Sequence, residues 1–458
     1  MKRHAALSGL VVLLACVTAW GEELAFPGAE GFGARSQGGR GGRVYFVSTL
    51  DDYDPGHGPR EATKRIKTGE VIREAQPAVE AEKPIPGSLR QAIDADEPRI
   101  VVFHVAGTIA LKAPLTIRHP FITIAGQSAP GGGICLRNYG LVVSDTHDVV
   151  VRYLRVRPGD TERTEVDGIS IGGSRNVIVD HCSTSWAVDE NLSVSGEGTT
   201  DVTVQWCFIT ESLNDSVHSK GPHGMGSLIR SDGDVTYHHN LYAMNSTRNP
   251  RPGTYGNPAG IRLDFRNNVI YNWGAGAGYS AKDPANINYI GNYIKPGPAV
   301  LHNRRLAFTI GGDTTRMYAE GNRLVDGDTV MTDDWAMMGD VLPVTRLDAP
   351  LPVRDIRTES AEGAYEAVLK HGGASKPQRD AVDARIVDCV RNNTGRIIDS
   401  QKDVGGWPDL TAGEAPADSD GDGMPDAWES AKGLDPMKAD GATRLEEYLE
   451  SLVATVAP

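Results

Sequence analysis

An all-β fold, a right-handed parallel β-helix with a short helical C-terminal extension, is predicted by three observations. Short alternating segments rich in β-branched residues recur through the middle of the chain: NVIVDHC, DVTVQWC, DVTYHHN, RLDFRNN, NINYIGN and RMYAEGN. Each ends on a small or amide residue at one equivalent place: Cys182, Cys207, Asn240, Asn268, Asn292 and Asn322, at intervals of 25, 33, 28, 24 and 30 residues. Tight Asn-Gly turns, which a sandwich of antiparallel hairpins would need, are scarce. A period of roughly 20 to 50 residues marks a solenoid, in which no coil buries its apolar face alone and stacked coils share one core. Uneven intervals suit a β-helix whose loops vary in length and build a binding face. Asparagine tolerates left-handed turn geometry, and stacked amides can bond from coil to coil.

The elements follow in order. Residues 1–21 have a basic start, an apolar run and small residues at Ala19 and Gly21, and read as a secretory signal peptide. The expected location is secreted or periplasmic. LLAC, ending at Cys16, resembles a lipidation box with Leu14 in place of the usual small residue, so a lipid-anchored cell-surface form is the alternative. No other stretch is long and apolar enough to span a membrane. The solenoid is assigned to residues 22–355. Within it, residues 55–84 are polar and charged and read as a surface insertion of unassigned purpose, and GSLRQAID reads as a short capping helix. Upstream of the six repeats, DVVVRYL and, roughly, PFITIAG fit the same frame. Residues 356–415 carry helical periodicity and are expected to pack back on the solenoid, whose open end needs covering.

Residues 416–458 form an acidic tail. DSDGDGMPDAWE matches the twelve-residue EF-hand loop, with Asp418, Asp420, Asp422, the Met424 carbonyl, Asp426 and Glu429 as calcium ligands and Gly423 at the sharp turn. No entering helix precedes it, so an isolated structural calcium loop is expected, followed by a helix in ATRLEEYLESLV.

Composition narrows the partners. The net charge of −14 argues against nucleic acid, and a polyanionic substrate would need a local basic groove or bridging cations. No CxxC pair is present, which argues against zinc. Cys182 and Cys207 occupy the repeat slot in adjacent coils, either as packed thiols, the favoured reading, or as a disulfide. No oligomerisation signal is visible and a monomer is expected.

AFPGAEGFGA, GSLRQAI, VAGTI, ITIAGQ, VVRYLRVRPGD, DGISI, VIVDHCSTSWAVDENLSV, VTYHHNLY and NPR together resemble the secreted pectate lyases of polysaccharide lyase family 1, over roughly residues 25 to 330. The resemblance implies a right-handed parallel β-helix and calcium-dependent β-elimination on polygalacturonate. Elimination removes the C5 proton beside a carboxylate. Ca²⁺ on that carboxylate would withdraw charge, and nearby cations would stabilise the enolate-like transition state. In the family the base is an arginine, and Arg248 holds its motif position. A free guanidinium is almost wholly protonated near neutrality, so activity is expected to rise at alkaline pH.

Arg251 matches an arginine that holds a substrate carboxylate. Lys220 resembles the family lysine that contacts substrate, with His218 and His223 as rivals in a loop that departs from the usual form. His238 and His239 read mainly as packing residues, with His239 a substrate-binding candidate at the groove edge. For the active-site Ca²⁺, Glu165 and Asp167 lie one coil before Asp189 and Glu190, and coils about 4.8 Å apart let carboxylates converge. Ser193 stands where the family often has a further Asp. Asp180, in VDHC, reads equally as structural or functional. The alternatives are a lyase for methylated pectin or another uronate polymer, and a non-catalytic polysaccharide-binding β-helix. Asp189 and Glu190, adjacent on a strand, would point to opposite faces and make a poor hydrolase pair.

Overall fold

The computed structural model describes residues 23–354 and 356–454; the expected signal peptide and Cys16 lie outside them. Among the described residues the chain winds into a parallel β-helix of three sheets. The first has ten parallel strands, from Arg43–Val47 to Thr315–Glu320. The second runs from Gly107–Ala110 to Arg323–Asp326 and ends on one antiparallel strand, Thr329–Met331. The third runs from Leu115–Ile117 to Arg251–Gly253. Register keeps like residues in columns: Val177, Val202, Val235, Leu263, Ile287 and Met317 stack strand on strand along the first sheet, all fully buried. A parallel sheet stacked this way buries an unbroken apolar interior.

The predicted repeat is the turn between the first and second sheets. Asn268 Oδ1 accepts from Asn240 N and Nδ2 at 3.0 Å, Asn292 Oδ1 accepts from Asn268 N at 3.0 Å, and Asn322 Oδ1 accepts from Asn292 N at 2.9 Å. Asp334 ends the ladder by accepting from Asn322 N at 2.9 Å. Below it, Cys207 N donates to Asn240 Oδ1 at 2.8 Å, and Cys182 N donates to Cys207 Sγ at 3.4 Å. Both cysteines are free thiols. One expectation is corrected. The left-handed residue of each turn is not the amide but its predecessor: His181, Trp206, His239 and Asn267 hold φ of 50° to 55°. The amides are needed for bonding, not for turn geometry. Asn268→Ala would strand the Asn240 N–H and the Tyr237 carbonyl, which Asn268 Nδ2 meets at 3.0 Å. We expect about 3 kcal/mol of lost stability in urea unfolding; an unchanged midpoint would show the ladder to be ornamental.

The helix Leu89–Asp94, capped by Ser88, buries Leu89, Ala92 and Ile93 in the solenoid core, as its sequence suggested. The helices Ala361–His371 and Ala381–Asn392 do not cover an open end. They lie on the flank of the second sheet, where Val368, Ile386 and Val390 pack against Phe208, Leu241 and Val269. The reason is an outward-facing apolar column on that sheet, which must be hidden from water. Buried Arg157 secures the start of the second helix, donating to its N-cap Asp380 and, at 2.7 Å, to Asp383. The tail helix Ala442–Ser451 docks on the first sheet, with Leu445, Tyr448 and Leu449 against Ile100, Val102 and Ala125.

The insertion is a long β-hairpin arm. His57 pairs with Val79 and Arg60 with Gln76, and Thr63–Lys64 pairs with Val71–Arg73. Its tip reaches the 215–219 loop, where Ile66 N donates to the Ser219 carbonyl at 2.8 Å and Arg65 to the Ser216 carbonyl at 2.7 Å.

Candidate active site

The loops that leave the second sheet and enter the third carry the predicted chemistry. Gly168 seats the first of them. A Cβ there would lie 2.4 Å from the Asn191 carbonyl oxygen, so only glycine lets the two coils close. This brings Asp167 beside the next coil, where its Oδ1 accepts from Glu190 N at 3.1 Å. Carboxylate oxygens of Asp167, Asp189 and Glu190 come within 4.8 Å of one another. Adjacent Asp189 and Glu190 therefore converge rather than diverge. They precede the strand Leu192–Gly196, in irregular backbone, so strand alternation does not govern them.

Arg248 arrives two coils further on, in the left-handed region at φ +59°. Its carbonyl accepts from Ser227 N at 2.7 Å, and its Nη1 makes an ion pair with Glu190 Oε1, a carboxylate almost fully buried. A buried charge needs such a partner. Burial and then Asp189 push the Asp167 carboxyl well above its usual range, against the pull of Arg248. Asp189 goes the other way. Burial opposes its charge, yet His218 and His223 hold it well below the usual range. Their rings stack at 3.8 Å, and His223 Nε2 lies 2.7 Å from Asp189. His218 Nδ1 accepts from Lys220 N at 3.1 Å, and its Nε2 faces Glu165 at 3.4 Å and Asp189 at 3.6 Å. Ligand atoms of Asp189, His218 and His223 also lie within 4.8 Å of one another, and Nε2 of both rings is buried without a hydrogen-bond partner.

Other predicted residues fall outside this centre. Glu165 stands behind His218, accepting from Ser219 N at 2.8 Å, and braces the loop. Lys220 sits exposed on that loop. Arg251 directs both fork nitrogens to Asp283 at 3.1 Å, a partner sequence reasoning did not name. His239 is corrected. It belongs to the turn between the first and second sheets, stacked on Trp206 at 4.3 Å, 3% exposed, and burial depresses it to about 3. The column Tyr153, His181, Trp206, His239 is packing on a different edge from Arg248. Asp180 is structural: it is fully buried, held by Arg152, His181 and Gln205. Ser193 is buried in the third sheet and accepts from Leu228 N, so no carboxylate fills its place.

A model of the pectate lyase family matches residues 121–259. The probable pectate lyase C of Aspergillus flavus is 36% identical over 449 residues, covering 94% of each chain. The chain belongs to the pectate lyase family. The probable pectate lyase C of Emericella nidulans is 37% identical over 452 residues, covering 94% of this chain and 93% of that one. The crystal structure of the major allergen from cedar pollen aligns at a TM-score of 0.51 and 18% identity, over 75% of this chain and 92% of that one, and supports the fold alone.

This member of the pectate lyase family carries a second acidic centre in its tail. Asp418, Asp420 and Asp422 bring carboxylate oxygens within 4.8 Å of one another. Glu429 is fully buried and neither of its oxygens has a hydrogen-bond partner; Asp420 Oδ2 and Asp440 Oδ2 are likewise buried and unpaired. Four orphaned oxygens on three carboxylates fit a hard cation such as Ca²⁺. Asp440 was not foreseen. It joins because its N–H donates to Asp422 Oδ2 at 2.9 Å, 18 residues away in sequence. Asp426 instead turns to Ser419, accepting from its N and Oγ at 2.7 and 2.8 Å. Among the described residues no helix is long and apolar enough to cross a membrane.

Proposed function

We propose that this chain is a secreted, calcium-dependent pectate lyase that cleaves de-esterified (1→4)-α-D-galacturonan by β-elimination to 4,5-unsaturated oligogalacturonates. The observation that carries this is Arg248 standing against Glu190 beside Asp167 and Asp189, in a family whose members include the probable pectate lyases above. Asp167, Asp189 and Glu190 would hold Ca²⁺; when bound, it neutralises the substrate carboxylate and makes the C5 proton more acidic. A neutral substrate ester would not need three such carboxylates, which argues against a methylated-pectin specialist. His218 and His223 keep Asp189 ionised and oriented. With Glu190 engaged by the cation rather than by Arg248, the fraction of Arg248 deprotonated at alkaline pH takes the C5 proton on a guanidine nitrogen, the C5–H electrons form the C4–C5 double bond, and the C4–O4 bond breaks with O4 protonated from solvent. Lys220 and Arg251 would contact substrate carboxylates, Arg251 by exchanging Asp283 for the substrate. The tail loop, through Asp418, Asp420, Asp422, Met424, Glu429 and the added Asp440, is a structural calcium site, with Asp426 bracing the loop through Ser419.

The test is incubation of the mature protein with polygalacturonate and calcium at about pH 9, where a guanidine base is best served, following ultraviolet absorbance of the unsaturated uronate. Absorbance should rise and stop on adding a chelator. New reducing ends without absorbance would mean hydrolysis, and neither signal would leave a binding β-helix.

A further inference from the structure

The hairpin arm runs from Lys112 to the loop that carries His218 and Lys220. Near its base Lys112 Nζ bonds Glu82 at 2.8 Å, in its middle Arg163 donates to the Ile72 carbonyl, and its tip holds the loop that carries His218 and Lys220. Under its base lies a cavity of about 300 Å³, lined among others by His57, Arg60, Gln76, Lys112, Tyr139 and Glu162. Tyr139 precedes Gly140, whose backbone abuts the carbonyl of Asp167 on the next coil, so cavity and catalytic loops share one face. The third-sheet strand after Tyr139, Leu141–Ser144, lies four strand steps from Arg251–Gly253, beside Arg248; at about 4.8 Å per step that is roughly 19 Å.

We propose that this cavity is a distal uronate-binding subsite, with Arg60 receiving the carboxylate of a sugar unit several residues along the chain from the scissile bond. This rests on the function proposed above. Lys112 is neutralised by Glu82, but among the described residues no acid pairs with Arg60, a half-buried residue that lines the cavity. A partly desolvated, unpaired fork suits a carboxylate. Gln76, Glu162 and Asp54 supply acceptors for sugar hydroxyls, and the charges of Glu162 and Asp54 disfavour any anion that lacks hydroxyls to satisfy them. The insertion thus gives the enzyme a preference for long chains.

The experiment compares octagalacturonate with trigalacturonate on the full chain and on Arg60→Ala. The ratio of kcat/KM, octamer over trimer, should fall about tenfold, the value of one charge-assisted contact. Binding of octagalacturonate to the Arg248→Lys chain, with and without Arg60→Ala, is measured by calorimetry and should weaken by a similar factor. An unchanged Kd overturns the subsite whether or not the protein is a lyase. Absence of turnover in the unaltered chain overturns the function instead.

Discussion

Arg248→Lys is expected to lower lyase turnover by about a thousandfold, within the range typical for loss of a positioned general base. Lysine is the informative replacement because it keeps a positive charge beside Glu190, which is almost fully buried and, among the described residues, ion-paired only to Arg248. Alanine would leave that carboxylate without a partner and confuse a catalytic loss with a folding one. Lysine is also the weaker cation to hold: a free ammonium deprotonates near 10, more readily than a guanidinium. If basicity alone mattered, the variant would work well at alkaline pH. The geometry argues otherwise. The left-handed backbone at Arg248, held through its carbonyl by Ser227, aims a planar fork that reaches Glu190 and leaves a second nitrogen for substrate, and a point ammonium cannot do both. Activity should stay low at every pH, with far-ultraviolet dichroism and melting unchanged. A variant that regains full turnover at high pH would remove the fork from the mechanism and leave only its charge.

The solenoid was legible because each coil repeats the same local solution. Asn240, Asn268, Asn292 and Asn322 report one turn four times, and the apolar columns between them are local facts. What lay beyond reading was anything set by contact between distant segments. The helices Ala361–His371 and Ala381–Asn392 went to the flank because Phe208, Leu241 and Val269 face outward from the second sheet. A signal for this existed, since an apolar residue follows the ladder slot in three of those coils, but it needs the coil geometry to interpret. In the catalytic loops, Asp167 and Asp189 were readable from their motif, while the closing of Glu190 onto Arg248 depends on irregular backbone that no periodicity predicts. His239 kept a groove-edge alternative beside its main reading as packing because nothing in one dimension separates it from Arg248; the two residues lie on different edges of the coil. Asp440 was missed because a ligand from outside a twelve-residue loop has no fixed spacing.

Removing calcium should loosen the tail, and more so as pH rises. Glu429 is fully buried and its carboxyl is pushed up to about 7, by burial first and then by Asp420, Asp422, Asp440 and Asp418. Its ordinary value is 4.5. Between those two pH values the folded tail holds a proton that the unfolded tail has released, so folding is favoured by low pH and stability declines as pH climbs through that window. A divalent cation replaces the proton and relieves the same repulsion. At a hundredfold excess over Kd it would add about 2.7 kcal/mol. Because chelation would also act on the calcium site proposed at Asp167, Asp189 and Glu190, the readout must be local: hydrogen exchange of the helices Asp426–Lys432 and Ala442–Ser451, whose residues Leu445, Tyr448 and Leu449 fasten the tail to Ile100 and Val102. With chelator, exchange there should accelerate steadily from about pH 4.5 to about pH 7 after correction for intrinsic rates; with calcium it should stay slow and level. Glu429→Gln should lose both the pH dependence and the response to calcium, since the amide neither titrates nor clamps the ion with two oxygens. Identical protection with calcium and with chelator at pH 8 would show that the apolar contacts alone hold the tail and that the acidic loop does no structural work.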